Sequence, residues 1–223
     1  MAKIYYIGDW AVELGPIYAE SPFNYDFKGV DVFNYGEWLM NAWQSSGKHL
    51  VQSVPAWDFY KMRPGEYERV LEEYDVIVFS DIEAKNFQVA PDFFDRKQFG
   101  KGILTFPDRI RLTVDAVKQG KSVIFMGGWL SFTGEAGKSG WGRTRLREIL
   151  PVECLQTEDL IESTEGFYPV ADSRWEAFFS GIPIGEMPPV LGYNQTRQRE
   201  GFDVILRIKE TDDPLLVFGK IDK

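Results

Sequence analysis

Residues 121–134, Lys-Ser-Val-Ile-Phe-Met-Gly-Gly-Trp-Leu-Ser-Phe-Thr-Gly, open with a short β-branched and aromatic run that stops at paired glycines. A run this brief predicts a buried strand rather than a helix, and the glycines predict a tight turn after it. Many α/β enzymes seat a nucleophile on such a turn. Gly127 and Gly128 carry no side chain that could attack. The only cysteine, Cys154, follows about twenty residues later, and the only histidine, His49, lies far upstream.

Working outward from this strand, the chain alternates strands with helices. Lys3-Ile-Tyr-Tyr-Ile-Gly8 is a compact apolar run ending in Gly-Asp, which suits a first strand. After a loop punctuated by Pro and Gly, Asn34 is placed to cap a helix through about Ser46, stopped by Gly47, and residues 49–54 supply a second strand. Pro64 suits the first turn of a helix carrying Tyr67, Val70, Leu71 and Tyr74, and Asp75-Val-Ile-Val-Phe-Ser80 follows as a third strand. Pro107 is placed to open a helix with Ile110, Val114 and Val117 at helical spacing, ended by Gly120. The order predicts an α/β domain with a mostly parallel sheet covered on both faces. Ligand sites in such folds lie beyond the carboxyl ends of the strands, here after Gly8, Ser80 and Met126. The last third changes character: short strands near 188–193, 203–209 and 214–219 predict an antiparallel extension of the same sheet.

A chain of 223 residues fits one domain, taken as residues 1–223. Apolar and charged contents of 44% and 26% are globular, and no segment nears the roughly 20 apolar residues of a membrane span. The N-terminal run breaks too soon for a signal peptide, and a single cysteine allows no intrachain disulfide, so a cytoplasmic location is expected. A net charge of -9 argues against nucleic-acid binding. Aromatic residues crowd the first sixty positions, among them Trp10, Trp38, Trp43 and Trp57; they either cover a sheet edge or subunit contact, or stack on a ligand. The first reading predicts a homo-oligomer.

Five segments then carry a resemblance: Tyr74-Asp75-Val-Ile-Val-Phe-Ser80-Asp81-Ile82, Gly127-Gly128-Trp129-Leu130-Ser131-Phe132-Thr133-Gly134, Leu150-Pro151-Val152, Leu191-Gly192-Tyr193-Asn194 and Asp213-Pro214-Leu215-Leu216-Val217. In this order they are similar to the class I glutamine amidotransferase-like family, which is related to the ThuA-like proteins. The resemblance spans residues 3–219 and implies a flavodoxin-like three-layer sandwich. It also implies a departure. Family members continue past the Asp-Pro-Leu-Leu-Val strand to a histidine-bearing end, whereas this sequence stops at Lys223. A glutaminase needs a thiolate, a histidine and an orienting carboxylate, and no such triad can be placed with Cys154 and His49.

The expectation is therefore a domain without glutamine hydrolysis that binds a small polar or anionic ligand, or a partner. Its ligand site is drawn from Asp81, Gly127, Gly128, Trp129, Ser131 and Arg143, with Tyr193 and Asn194 approaching through the resemblance. The six glycines between Gly127 and Gly142 offer backbone N–H groups to an anion with Arg143 as counter-charge, or serve as ordinary turns. Asp81 and Glu83 are the candidate catalytic residues of an alternative reading, a hydrolase-type enzyme with a carboxylate general base and an oxyanion site in the glycine turn. A third reading is a structural oligomerisation module. No cofactor and no metal are expected: Glu158, Asp159, Glu162 and Glu165 read better as a solvated acidic face than as ligands. Gly134-Glu-Ala-Gly-Lys-Ser139 falls short of a phosphate-binding loop because Phe132 stands where its first glycine belongs.

Overall fold

The computed structural model describes residues 1–18, 25–91 and 108–221. In chain order these form β1 (Ala2–Gly8), β2 (Trp10–Tyr18), β3 (Tyr25–Asn34), α1 (Glu37–Ser45), β4 (His49–Val54), α2 (Ala56–Lys61) and α3 (Pro64–Glu73). Next come β5 (Val76–Ser80), α4 (Ala84–Gln88), α5 (Arg109–Lys118) and β6 (Ser122–Met126). The C-terminal part holds β7 (Val152–Cys154), β8 (Leu160–Phe167), β9 (Pro169–Ala171), β10 (Val190–Asn194), β11 (Thr196–Gln198), β12 (Asp203–Ile208) and β13 (Pro214–Phe218).

The central sheet has the order β4-β1-β5-β6 with all pairs parallel. Side chains alternate across a strand, so Tyr5 and Ile7 enter one core while Ile4 and Tyr6 enter another. The first core is capped by α2, α3, α4 and α5 through Phe59, Tyr67, Phe87 and Ile110; the second lies under Met40 of α1. Each fully buried aromatic or aliphatic side chain contributes about 1.5–3 kcal/mol. This is the expected α/β sandwich.

Several local expectations change. The punctuated loop before α1 is an antiparallel hairpin, β2 with β3. Asn34 does not cap α1: it ends β3, its Oδ1 accepts the Gly36 N–H at 3.1 Å, and Gly36 takes the N-cap position. Pro107 lies outside the described residues, and the Asp108 side chain caps α5 by accepting the Arg111 N–H at 2.8 Å. The antiparallel C-terminal part is present, but among the described residues its strands pair among themselves as β10-β8, β11-β7 and β13-β12-β9 instead of joining the parallel sheet. β6, expected as a buried strand, is an edge strand of its sheet among the described residues.

Arg109 at the start of α5 is 1% exposed. Its guanidinium donates to the carbonyls of Phe59, Tyr60, Met62, Phe87 and Val89, so it sews the ends of α2 and α4 to α5. Burial lowers its pKa to about 10.

Candidate functional site at the carboxyl ends of the parallel strands

β1 and β5 run side by side in register, with Gly8 opposite Ser80. Each is followed by an aspartate in the left-handed backbone region, Asp9 at φ 54° and Asp81 at φ 49°. Residues other than glycine seldom adopt this conformation, and where they do it concentrates at functional turns. Gly8 makes the side-by-side approach possible. At φ 111° a Cβ on this residue would sit 1.6 Å from the Ser80 carbonyl oxygen.

Asp9 is fixed by two hydroxyls: Ser80 Oγ donates to its Oδ1 at 2.9 Å and Tyr6 Oη donates to its Oδ2. Asp81 is held differently. Its N–H donates to Ser131 Oγ at 3.1 Å, and its Oδ1 accepts the Leu130 N–H at 2.6 Å. Its Oδ2 has no hydrogen-bond partner among the described residues. Burial raises the Asp81 pKa above the ordinary carboxylate range; the Leu130 hydrogen bond opposes this and the Asp9 charge adds to it.

The glycine pair explains itself by closeness. A Cβ on Gly128 would lie 2.7 Å from Asp81 Oδ1, and one on Gly127 would lie 2.7 Å from Asn194 Oδ1. Asn194 accepts from the Gly128 N–H at 2.8 Å and donates to its carbonyl at 3.1 Å and to Asp159 Oδ1 at 2.9 Å. Asp159 is fully buried and accepts the N–H groups of Thr133 and Gly134, both at 2.9 Å. It belongs to the loop's internal framework and not to a solvated acidic face. Among the described residues no three His, Cys, Asp or Glu side chains come together as a metal site.

The expected site residues therefore divide. Asp81, Gly127, Gly128, Ser131 and Asn194 converge, and Trp129, 64% exposed, lies on the same loop. Arg143 is exposed and donates to the Gln156 carbonyl at 3.1 Å, and Glu83 pairs with Lys85 at 2.9 Å. Tyr193 Oη donates to Asp213 at 2.7 Å. The N–H groups of Gly128, Leu130, Thr133 and Gly134, the expected anion cradle, are already taken by Asn194, Asp81 and Asp159. Asp9, Ser80 and Tyr6 were not foreseen. Their signal was a repeated pattern, Ile7-Gly8-Asp9 and Phe79-Ser80-Asp81, in which a small residue and an aspartate close two apolar strands.

Cys154 lies in β7 with its Cβ against Gly142, and burial pushes its thiol up to about 12. His49 begins β4, at the amino end of the sheet, with Nδ1 buried and unbonded among the described residues.

Among the described residues no helix is long and apolar enough to cross a membrane. No curated protein matches the chain. Among the solved structures that match it, two do so nearly throughout. The cytoplasmic protein STM3548 from Salmonella typhimurium is 29% identical with a TM-score of 0.81, over 98% of this chain and 83% of that one. The cytoplasmic protein STM1381 from Salmonella typhimurium LT2 is 29% identical with a TM-score of 0.80, over 99% and 84%. Residues 21–223 match the family described as putative glutamine amidotransferase, and with that share of its length the chain belongs to this family.

Proposed function

We propose that the chain binds a small polar molecule at the carboxyl ends of β1 and β5, with Asp81 as the acceptor that recognises it, and that it does not hydrolyse glutamine. The observation that carries this reading is the pair Asp9 and Asp81, both in left-handed backbone, with one Asp81 oxygen unengaged among the described residues. Carboxylates accept hydrogen bonds, and the N–H groups of Gly128, Leu130, Thr133 and Gly134 are already engaged. A ligand bearing hydroxyl or amine groups therefore fits better than an anionic one. Against glutaminase chemistry stand the side-chain-free turn at Gly127 and Gly128, a thiol held protonated at Cys154, and a histidine at the opposite end of the sheet.

A second reading is an enzyme with Asp81 as general base. The raised pKa favours it, since a base titrating nearer neutrality transfers protons more effectively. The oxyanion site expected in the glycine turn gains no support, because those N–H groups are engaged. A cytoplasmic location agrees with both similar structures being described as cytoplasmic proteins.

Native mass spectrometry of gently purified protein tests the proposal. The expected result is a stoichiometric small adduct that is lost in Asp81→Asn. An adduct that survives Asp81→Asn unchanged, or a chain that takes up no polyol or amine from a panel of such compounds, would overturn it.

A further inference from the structure

Glu37, Asn41 and Gln44 stand at i, i+4 and i+7 of α1, which places them on one stripe of the helix. The stripe borders an open recess of about 430 Å³ between α1, β4 and the base of the β2–β3 hairpin. Met40 and Val51, both of the second core, reach its lining. Trp10 forms a further wall, and its indole N–H donates to Ser53 Oγ at 2.8 Å. Hydrogen-bonding capacity is left over along the helix. Gln44 Nε2 donates to the Val51 carbonyl at 3.1 Å, which leaves Gln44 Oε1 as an acceptor. Neither the Glu37 carboxylate nor the Asn41 side chain has a partner among the described residues. Glu37 is also the only charged residue among those lining the recess, in a chain whose net charge is -9. No residue of the Asp81 site lines it.

We propose that this recess binds a small organic cation, a protonated amine on a short apolar stem. Each feature has its counterpart. An ammonium carries three donors and no acceptor, which suits the Glu37 carboxylate, Asn41 Oδ1 and Gln44 Oε1 on one helical stripe. The stem packs on Trp10, Met40 and Val51, where it leaves water. The unpaired charge of Glu37 attracts cations and turns away carboxylates and phosphates, so an anion of the same size is rejected.

The test is a nuclear magnetic resonance titration of the full chain with butylammonium chloride, with 1-butanol as the neutral probe of equal shape. The Trp10 indole N–H, assigned through Trp10→Phe, reports from the wall of the recess. The expected result is a saturable shift of this resonance with the amine, with a dissociation constant on the order of millimolar, and none with the alcohol. Glu37→Gln and Asn41→Leu, both at exposed positions of α1, are each expected to weaken binding at least about threefold. An equal response to 1-butanol would overturn the proposal in favour of a nonspecific apolar groove. So would binding that Glu37→Gln leaves unchanged. Amine binding abolished by Asp81→Asn but untouched by Glu37→Gln would place the cation at the Asp81 site, which overturns this inference and leaves the proposed function standing. Absence of any shift with the amine would overturn it outright.

Discussion

At Asp81 the chemistry and the stability of the fold meet. A carboxyl whose folded pKa lies above its unfolded value favours the folded chain while protonated. Its contribution is fully present below the unfolded carboxylate range and is lost as pH rises through the raised value. Asn in its place keeps an oxygen for the Leu130 N–H but never ionises. Asp81→Asn is therefore expected to unfold a few degrees above the parent chain at neutral pH, with the gap closing below about pH 4. Thermal unfolding of both proteins from pH 3 to 8 measures this, and a gap that does not change with pH would refute the assignment. The same substitution removes the proposed ligand, so recognition at this residue is bought with stability.

Among the elements, α5 is the one most dependent on a single side chain. Arg109 donates to five carbonyls of α2, α4 and their flanking residues, and its guanidinium also lies 4.8 Å from the centroid of the Phe59 ring. Arg109→Met fills similar volume but strands those acceptors, and a loss of about 3 kcal/mol is expected in urea unfolding. A loss below about 1 kcal/mol would mean that water replaces the guanidinium. No sequence signal marked this residue, because its partners are carbonyls gathered from two segments far from it in sequence. The parallel strands and α1, α3 and α5 were legible, since apolar runs closed by Gly, Pro or Ser state their own period and ends. β9 and β11 were not: three-residue strands carry no period and form only because a partner strand lies alongside. Asn34 resembled a cap because its residue type favours one, yet the hairpin that delivers the chain to α1 places Gly36 there instead. The Asp81 site was half visible in the same way. Its glycines were conspicuous, whereas their purpose, room for Asp81 and Asn194, depends on strands more than forty residues apart in sequence.

At the scale of the whole molecule, the β2–β3 hairpin stands as a two-stranded ladder of its own, with Val12, Val30, Val32 and Phe33 exposed and Trp38 of the following helix 87% exposed. Two strands alone are marginally stable in water, and we propose that this apolar surface forms a homo-oligomeric contact. Sedimentation velocity is expected to show an oligomer in the parent chain and the monomer mass in Val32→Lys combined with Trp38→Ala. A monomeric parent would end that reading. Trp43 is unsuited to such a test, because its ring lies 6.2 Å from Tyr6 inside the second core. Trp141 offers something else. Its indole is sealed from solvent, donates to the Ile82 carbonyl at 2.7 Å, and lies among Phe87, Phe125 and Phe132 directly beneath the glycine loop. The protein thus carries its own optical gauge: an event that lifts residues 127–140 from the sheet would let water reach this ring and shift its fluorescence to the red.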